Sequence, residues 1–178
     1  YEAEWGFGSL LDETLEDRWQ LVKTDSQGLR RFGLTDLRYD DVRYGPLYRI
    51  FTLHGRLDGL DHRGAWIEFR LYENSPRIEL LYALRRLPEE NPSSLYVAMP
   101  FAGGSDCLSF DAQGGIIHPG VNQLEGSSSE WSTLQNFAKV DNGDSQTLMG
   151  SQEMPVVMFG RLLDGPFQYI KSYELPYM

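Results

Sequence analysis

Cysteine is almost absent: Cys107 stands alone among 178 residues, so no disulfide closes within the chain, and no second Cys or paired His nearby offers zinc-site spacing. A buried structural thiol is the reading that remains. Histidine is scarce as well. His54, His62 and His118 are far apart in the sequence, without the i, i+4 spacing that puts two ligands on one helix face. Basic residues are outnumbered, 16 Lys and Arg against 26 Asp and Glu, for a net charge of −10. Such a field repels phosphate backbones and anionic lipid, which excludes nucleic acid and membrane surfaces as partners. No apolar run approaches the roughly 20 residues needed to span a bilayer, and no basic region with an apolar signal core opens the chain. With the single cysteine, this leans toward the cytoplasm. There is also no Gly-x-Ser-x-Gly elbow, no phosphate loop and no reactive Cys-His arrangement.

What the chain does have is apolar and aromatic residues, 41% and 13%, enough to fold and enough for one domain over 1–178. Period-2 patterning dominates. Ala65, Ile67, Phe69 and Leu71 alternate with Trp66, Glu68, Arg70 and Tyr72; a turn at Glu73-Asn74-Ser75-Pro76 follows, and Ile78, Leu80, Tyr82 and Leu84 return as an antiparallel partner. Upstream, 47–57 is a strand with Leu47, Phe51, Leu53 and Leu57 on one face and Tyr48, Ile50, Thr52, His54 and Arg56 on the other, ended by a turn at Gly59, Asp61 and Gly64.

Residues 19–22 and 29–34 read as strands joined by a turn at Asp25-Ser26-Gln27-Gly28, and 14–22 has room for a helical turn. Asp12, Glu13, Glu16 and Asp17 read as an acidic turn, and 38–44 as polar and irregular. Further strands are expected at 94–101, 107–110, 115–117, 131–140, 145–149 and 155–163. Asp111-Ala112-Gln113-Gly114 is read as the turn between two of them, and Asp141-Asn142-Gly143-Asp144 as a hairpin with a type I′ turn. About ten short strands at turn-bounded spacing imply an all-β antiparallel sandwich. The opening at Tyr1 without Met, and the ending on Glu174-Leu175-Pro176-Tyr177-Met178, read as a fragment of a longer protein.

No constellation declares a catalytic centre. Glycoside hydrolysis needs two carboxylates set across a bond, but Glu68, Glu73 and Glu79 fall at turns and on alternating strand faces, as on a solvated surface. Asp141 and Asp144 have the chemistry for weak Ca²⁺ binding, yet a hairpin accounts for them without metal. His118, before Pro119, reads as a turn histidine. The stretch 120–140 is richest in groups that hold neutral sugars, where a ring packs the CH face and amides satisfy hydroxyls. Its candidates are Asn122, Gln123, Ser127, Glu130, Trp131 and Gln135. As one strand, 131–140 puts Trp131, Thr133, Gln135 and Phe137 on a common face, so Gln135 also reads as a core amide bonded to backbone.

Ordered segments of the chain also resemble the C-terminal β-sandwich region of glycoside hydrolase family 38, the α-mannosidases. These are Gly45-Pro46 and the strand after it, Ile67-Glu68-Phe69-Arg70-Leu71-Tyr72, Pro76-Arg77-Ile78-Glu79-Leu80 and the run from Ser94 to Pro100-Phe101. The most specific part is Asn122-Gln123-Leu124, Gly126-Ser127, Trp131 and Gln135-Asn136-Phe137, with Thr147-Leu148 and Pro155-Val156-Val157 downstream. Glu130 departs from the family's Asp, and Ser132 from its aromatic.

The resemblance covers about two thirds of the chain. It implies a galactose-mutarotase-like supersandwich that packs behind a catalytic α/β barrel of the same polypeptide. That barrel carries the divalent metal and the nucleophilic aspartate; no segment here resembles it, so the chain itself is expected to hold no catalytic residue and no cofactor. The expected function is a non-catalytic module of an α-mannosidase-like glycosidase that supports the barrel and contacts mannosides. Two alternatives stay open: a free-standing mutarotase-like aldose epimerase using His118 and Glu125 as acid and base, and a ligand-free interaction scaffold.

Overall fold

A computed structural model describes residues 5–15, 29–91, 93–101, 105–124, 131–151, 153 and 155–159. The protein is all-β with antiparallel sheets. Among the described residues the sole helical element is a 3-10 turn, Ser105–Cys107. The strands expected at 19–22 and the turn at 25–28 lie outside the described residues, as do Gly160 and everything after it. The chain divides into two compact units, taken here in turn.

The first unit holds seven strands. Four of them, β3 (Thr35–Tyr44), β4 (Tyr48–Arg56), β5 (Leu60–Tyr72) and β6 (Ile78–Arg86), form a sheet in chain order. The other three, β1 (Leu10–Leu15), β2 (Leu29–Gly33) and β7 (Ser93–Val97), form a second sheet with β1 at its centre. The β5–β6 hairpin falls where the alternation put it, with Phe69 opposite Leu80 and Leu71 opposite Ile78.

Leu10, Leu57, Leu60 and Ala65 are buried together, with Phe32, Leu34, Tyr82, Leu84, Leu95 and Val97 packed on them. These side chains come from both sheets, so two apolar faces meet as in a sandwich. A fully buried leucine such as Leu10 contributes roughly 1.5–3 kcal/mol by leaving water. Two polar links also cross the core. The Tyr82 phenol, pushed up to about 12 by burial, stays protonated and donates to the Gly8 carbonyl at 2.7 Å. Arg86 reaches Asp12 at 2.6 Å.

Asp12 corrects one sequence expectation. It sits inside β1, not in an acidic turn, and its side chain is only 5% exposed. Arg86 and the Thr14 hydroxyl hold its carboxylate, while Glu13, on the opposite face, pairs with Arg31 at 2.6 Å. Buried carboxylates need such partners. Thr14, likewise, belongs to this strand and not to a helical turn.

Residues 38–44 are a second correction, since they belong to the ten-residue strand β3. β3 is a sheet edge with two register irregularities, between Thr35 and Arg38 and between Tyr39 and Asp41. Bulges and charges are how exposed edges avoid further pairing, which erases the period-2 pattern. On β4 the contrast of one buried and one mixed face gives way to half-burial on both, with Leu47 exposed and Leu57 buried. The turn expected across 59–64 narrows to Asp58 and Gly59, and 61–64 form a bulged start of β5.

The second unit is built of shorter strands: β8 (Leu108–Ala112), β9 (Gly115–Ile117), β10 (Ser132–Thr133), β11 (Ala138–Asp141), β12 (Gln146–Met149) and β13 (Val156–Val157). They make a four-stranded sheet ordered β12-β11-β8-β9 and a two-stranded pair β10-β13. Leu108, Phe110, Leu134, Ala138 and Phe159 form its core. The 141–144 hairpin is present, but Asp141 pairs with Gln146 across a longer loop in which only Gly143 has positive φ, so the turn is not type I′. Of the final apolar run, Val156 is exposed, Val157 half-buried and Phe159 buried, which is not a strand covered on both faces.

Candidate functional site

The stretch with the sugar-binding candidates is organised by Asp111, which belongs to a strand and not to the turn its sequence context suggests. It lies in β8 and is buried. Its Oδ1 accepts the backbone N–H groups of Gln135, Asn136 and Phe137 at 3.2, 2.8 and 2.8 Å, and its Oδ2 accepts Asn136 Nδ2 at 2.6 Å. The backbone reinforces this: Asp111 N donates to Phe137 O, and Gln135 N donates to Asp111 O. Burial by itself raises the Asp111 pKa, but these hydrogen bonds outweigh it and hold the carboxyl below its ordinary value.

This clamp breaks the expected strand 131–140 into β10, a bend at Gln135 and Asn136, and β11. The N–H groups of Asn136 and Phe137 are taken by the carboxylate and that of Gln135 is shared between the carboxylate and the Asp111 carbonyl, so a regular ladder does not run through these three residues. The common face of Trp131, Thr133, Gln135 and Phe137 is therefore lost. Ser132, Leu134 and Ala138 are buried instead, Trp131 and Phe137 are half-buried, and Gln135 is exposed. The reading of Gln135 as a core amide is overturned; its side chain lies at the surface.

The loop after β9 is tied to itself. His118 N donates to Asn122 Oδ1 at 2.7 Å, Asn122 Nδ2 donates to Ile116 O at 3.3 Å, and Gly120 N donates to Gln123 Oε1 at 2.9 Å. His118 Nδ1 donates to the Leu108 carbonyl at 3.2 Å, a backbone acceptor that fixes the proton on that nitrogen. The amides of Asn122 and Gln123 thus cap their own turn, as Asx-type side chains do. Gly120 adopts φ 73° there, a conformation natural to glycine. Ser127, Glu130 and Glu125 lie outside the described residues. Trp131 and Gln135 flank β10, the first half-buried and the second exposed.

The acidic residues with a solvated reading are matched by arginines on the β3–β6 sheet. Arg43 and Arg70 bond Glu68 at 2.8 and 2.7 Å, Arg49 bonds Glu73 at 2.7 Å, and Arg77 bonds Glu79. The guanidiniums of Arg70 and Arg77 also lie over the rings of Tyr48 and Tyr72. Such a ladder is surface knitting and not an acid–base pair. Asp141, considered for Ca²⁺, is held instead by Lys139 at 2.8 Å and by Gln146 at 2.7 Å. Among the described residues no group of three or more His, Cys, Asp or Glu is placed to hold a metal ion, so no chemical step is derived through one.

Asp111 is what sequence reasoning missed. An Asp beside a Gly-containing turn looks like a turn former, and only its neighbours across the sheet reveal the clamp. No family model matches the chain, and neither curated proteins nor solved structures give a match.

Proposed function

We propose that this chain is a non-catalytic β-sandwich module of an α-mannosidase-like glycosidase, with the galactose-mutarotase-like supersandwich as its fold and a catalytic α/β barrel as its partner in the same polypeptide. The observation that carries this reading is where the resembling residues fall. Ile67 to Tyr72 and Ile78 to Leu80 are the two arms of one antiparallel hairpin. Gln135-Asn136-Phe137, one part of the most specific stretch, is the segment wrapped around Asp111. The series follows structural units in order, as a shared fold requires.

In this reading the module braces the barrel, which supplies metal and nucleophile, and Trp131 with Gln135 reaches mannosides at the rim of the site. The reading frame adjoining the chain tests the module: a barrel bearing Asp and His metal ligands supports it, and a frame that encodes none sinks it. NMR titration with mannose and mannobiose tests the rim. Saturable shifts of the Trp131 indole, lost in Trp131→Ala, are expected; silence at high millimolar sugar confines the module to its bracing role.

A further inference from the structure

A hollow lies on the β3–β4 edge of the first unit. Asp36, Arg38, His54, Gly55 and Arg56 line this shallow hollow, which is open to solvent. Its shape comes from the first irregularity of β3. Thr35 pairs with Arg56 and Arg38 with His54, so Asp36 and Leu37 together oppose the single residue Gly55, the arrangement of a β-bulge. Asp36 takes φ 52°, the one positive φ of a non-glycine residue among the described residues. Asp tolerates this better than most residues, yet it remains a strained choice for a strand.

The charges around the hollow differ from those on most of the sheet, where, among the described residues, Arg85 is the other arginine without an ion pair. Arg38 stands directly opposite His54, and Arg56 lies two residues along the same strand, so the three side chains share one face. On that sheet Arg43, Arg49, Arg70 and Arg77 are each held by a carboxylate. Among the described residues Arg38 and Arg56 have no ion pair, and Asp36 does not close on either of them. His54 is fixed: its ring stacks on Trp66 with centroids 4.5 Å apart, and Nε2 donates to the Arg63 carbonyl. Two unneutralised guanidiniums beside an oriented imidazole form a positive spot on a chain of net charge −10.

The geometry points to a binding site for a small hydroxylated anion, a sugar acid or sugar phosphate, whose acidic group sits between Arg38 and Arg56 and whose hydroxyl donates to Asp36. Guanidinium forks suit planar or tetrahedral oxyanions. A bare dianion is disfavoured by Asp36, whereas a ligand with both an acid and a hydroxyl satisfies all three groups. The open mouth fits one small group and gives weak, salt-sensitive binding. This inference does not depend on the mannosidase-like reading.

The test is an NMR titration of the full chain at low ionic strength with glucuronate, glucose 6-phosphate, inorganic phosphate and glucose, following His54 and the Trp66 indole. Saturable shifts are expected with glucuronate or glucose 6-phosphate, and their relative affinity identifies the acid as carboxylate or phosphate. Arg38→Ala with Arg56→Ala weakens binding at least about tenfold, while Arg85→Ala, elsewhere on the sheet, leaves it unchanged. Asp36→Asn, which keeps a residue tolerant of positive φ, tightens inorganic phosphate and weakens the sugar acid. No saturation in the wild-type chain overturns the proposal, as does equal binding of neutral glucose or equal weakening by Arg85→Ala.

Discussion

The two units solve the same backbone problem differently. In the first, β3 to β6 run from nine to thirteen residues, long enough for the ladder to satisfy most N–H and C=O groups. Side chains are then left to cross between the sheets, as Arg86 does to Asp12. In the second unit β10 and β13 have two residues each, and the ladder runs out. A buried carboxylate, Asp111, takes over three of the N–H groups. Long strands need side chains to join their sheets; short strands need side chains to complete their backbone.

The largest way to break this comparison is to remove the cross-sheet cation. Arg86→Met leaves the Asp12 carboxylate buried and uncompensated and is expected to cost roughly 3–5 kcal/mol, measured by urea denaturation. Asp12→Asn in the same chain should restore a good part of it. A result under about 1 kcal/mol for Arg86→Met would mean that the Thr14 hydroxyl suffices.

Next comes the bulge of the same unit. Gly64 has φ 74°, and a Cβ there would lie 2.2 Å from the Gly55 carbonyl oxygen, so Gly64→Ala should cost roughly 1–3 kcal/mol in strain and displaced backbone. Gly143→Ala separates the two causes. Gly143 has φ 86° with open space around it, so its cost is backbone conformation alone, about 1 kcal/mol.

The second unit is tested by pH. Because hydrogen bonds lower the Asp111 pKa in the folded state below its ordinary 3.8, its stabilisation is complete above the unfolded value and is lost as pH falls through the folded one. Amide exchange at 135–137 should therefore stay protected down to about pH 4 and accelerate below it. In Asp111→Asn that acid-linked step disappears, and protection is weaker at every pH. An unchanged acid limb in the variant assigns the step to another carboxylate.

The smallest effect is expected on the exposed ladder of the first unit. Arg77→Ala removes an ion pair to Glu79 whose arginine is largely exposed, and should change stability by about 0–1 kcal/mol. Thermal melts in low and high salt check this, since what little it contributes is screened.

Where local pattern and tertiary demand agree, the sequence was legible. The β5–β6 hairpin was readable because one face is apolar throughout, and β9 and the 141–144 hairpin because turn residues mark their ends. The candidate site was less so. Asn122 and Gln123 carry amides suited to a sugar, but hydrogen bonding to their own loop is a local geometric fact that residue type does not encode. The hollow at Arg38, His54 and Arg56 was illegible for a related reason: Arg38 and Arg56 are eighteen positions apart, and only the bulged register of β3 on β4 puts them on one face.

By itself the sequence determined the fold class, since alternating apolar residues between turn formers have no other way to bury one face. It also determined the sign of the net charge, an excess of carboxylates over Lys and Arg. The tertiary structure decided what individual charges do. Asp12 and Asp111 look alike in the chain, each beside a turn signal, yet one pins two sheets through an arginine 74 positions away and the other holds a broken strand by its amides. Arg38, with no carboxylate within ion-pair distance among the described residues, is left exposed. A charge takes its role from the partners that folding brings within hydrogen-bond distance, and those partners are remote in sequence.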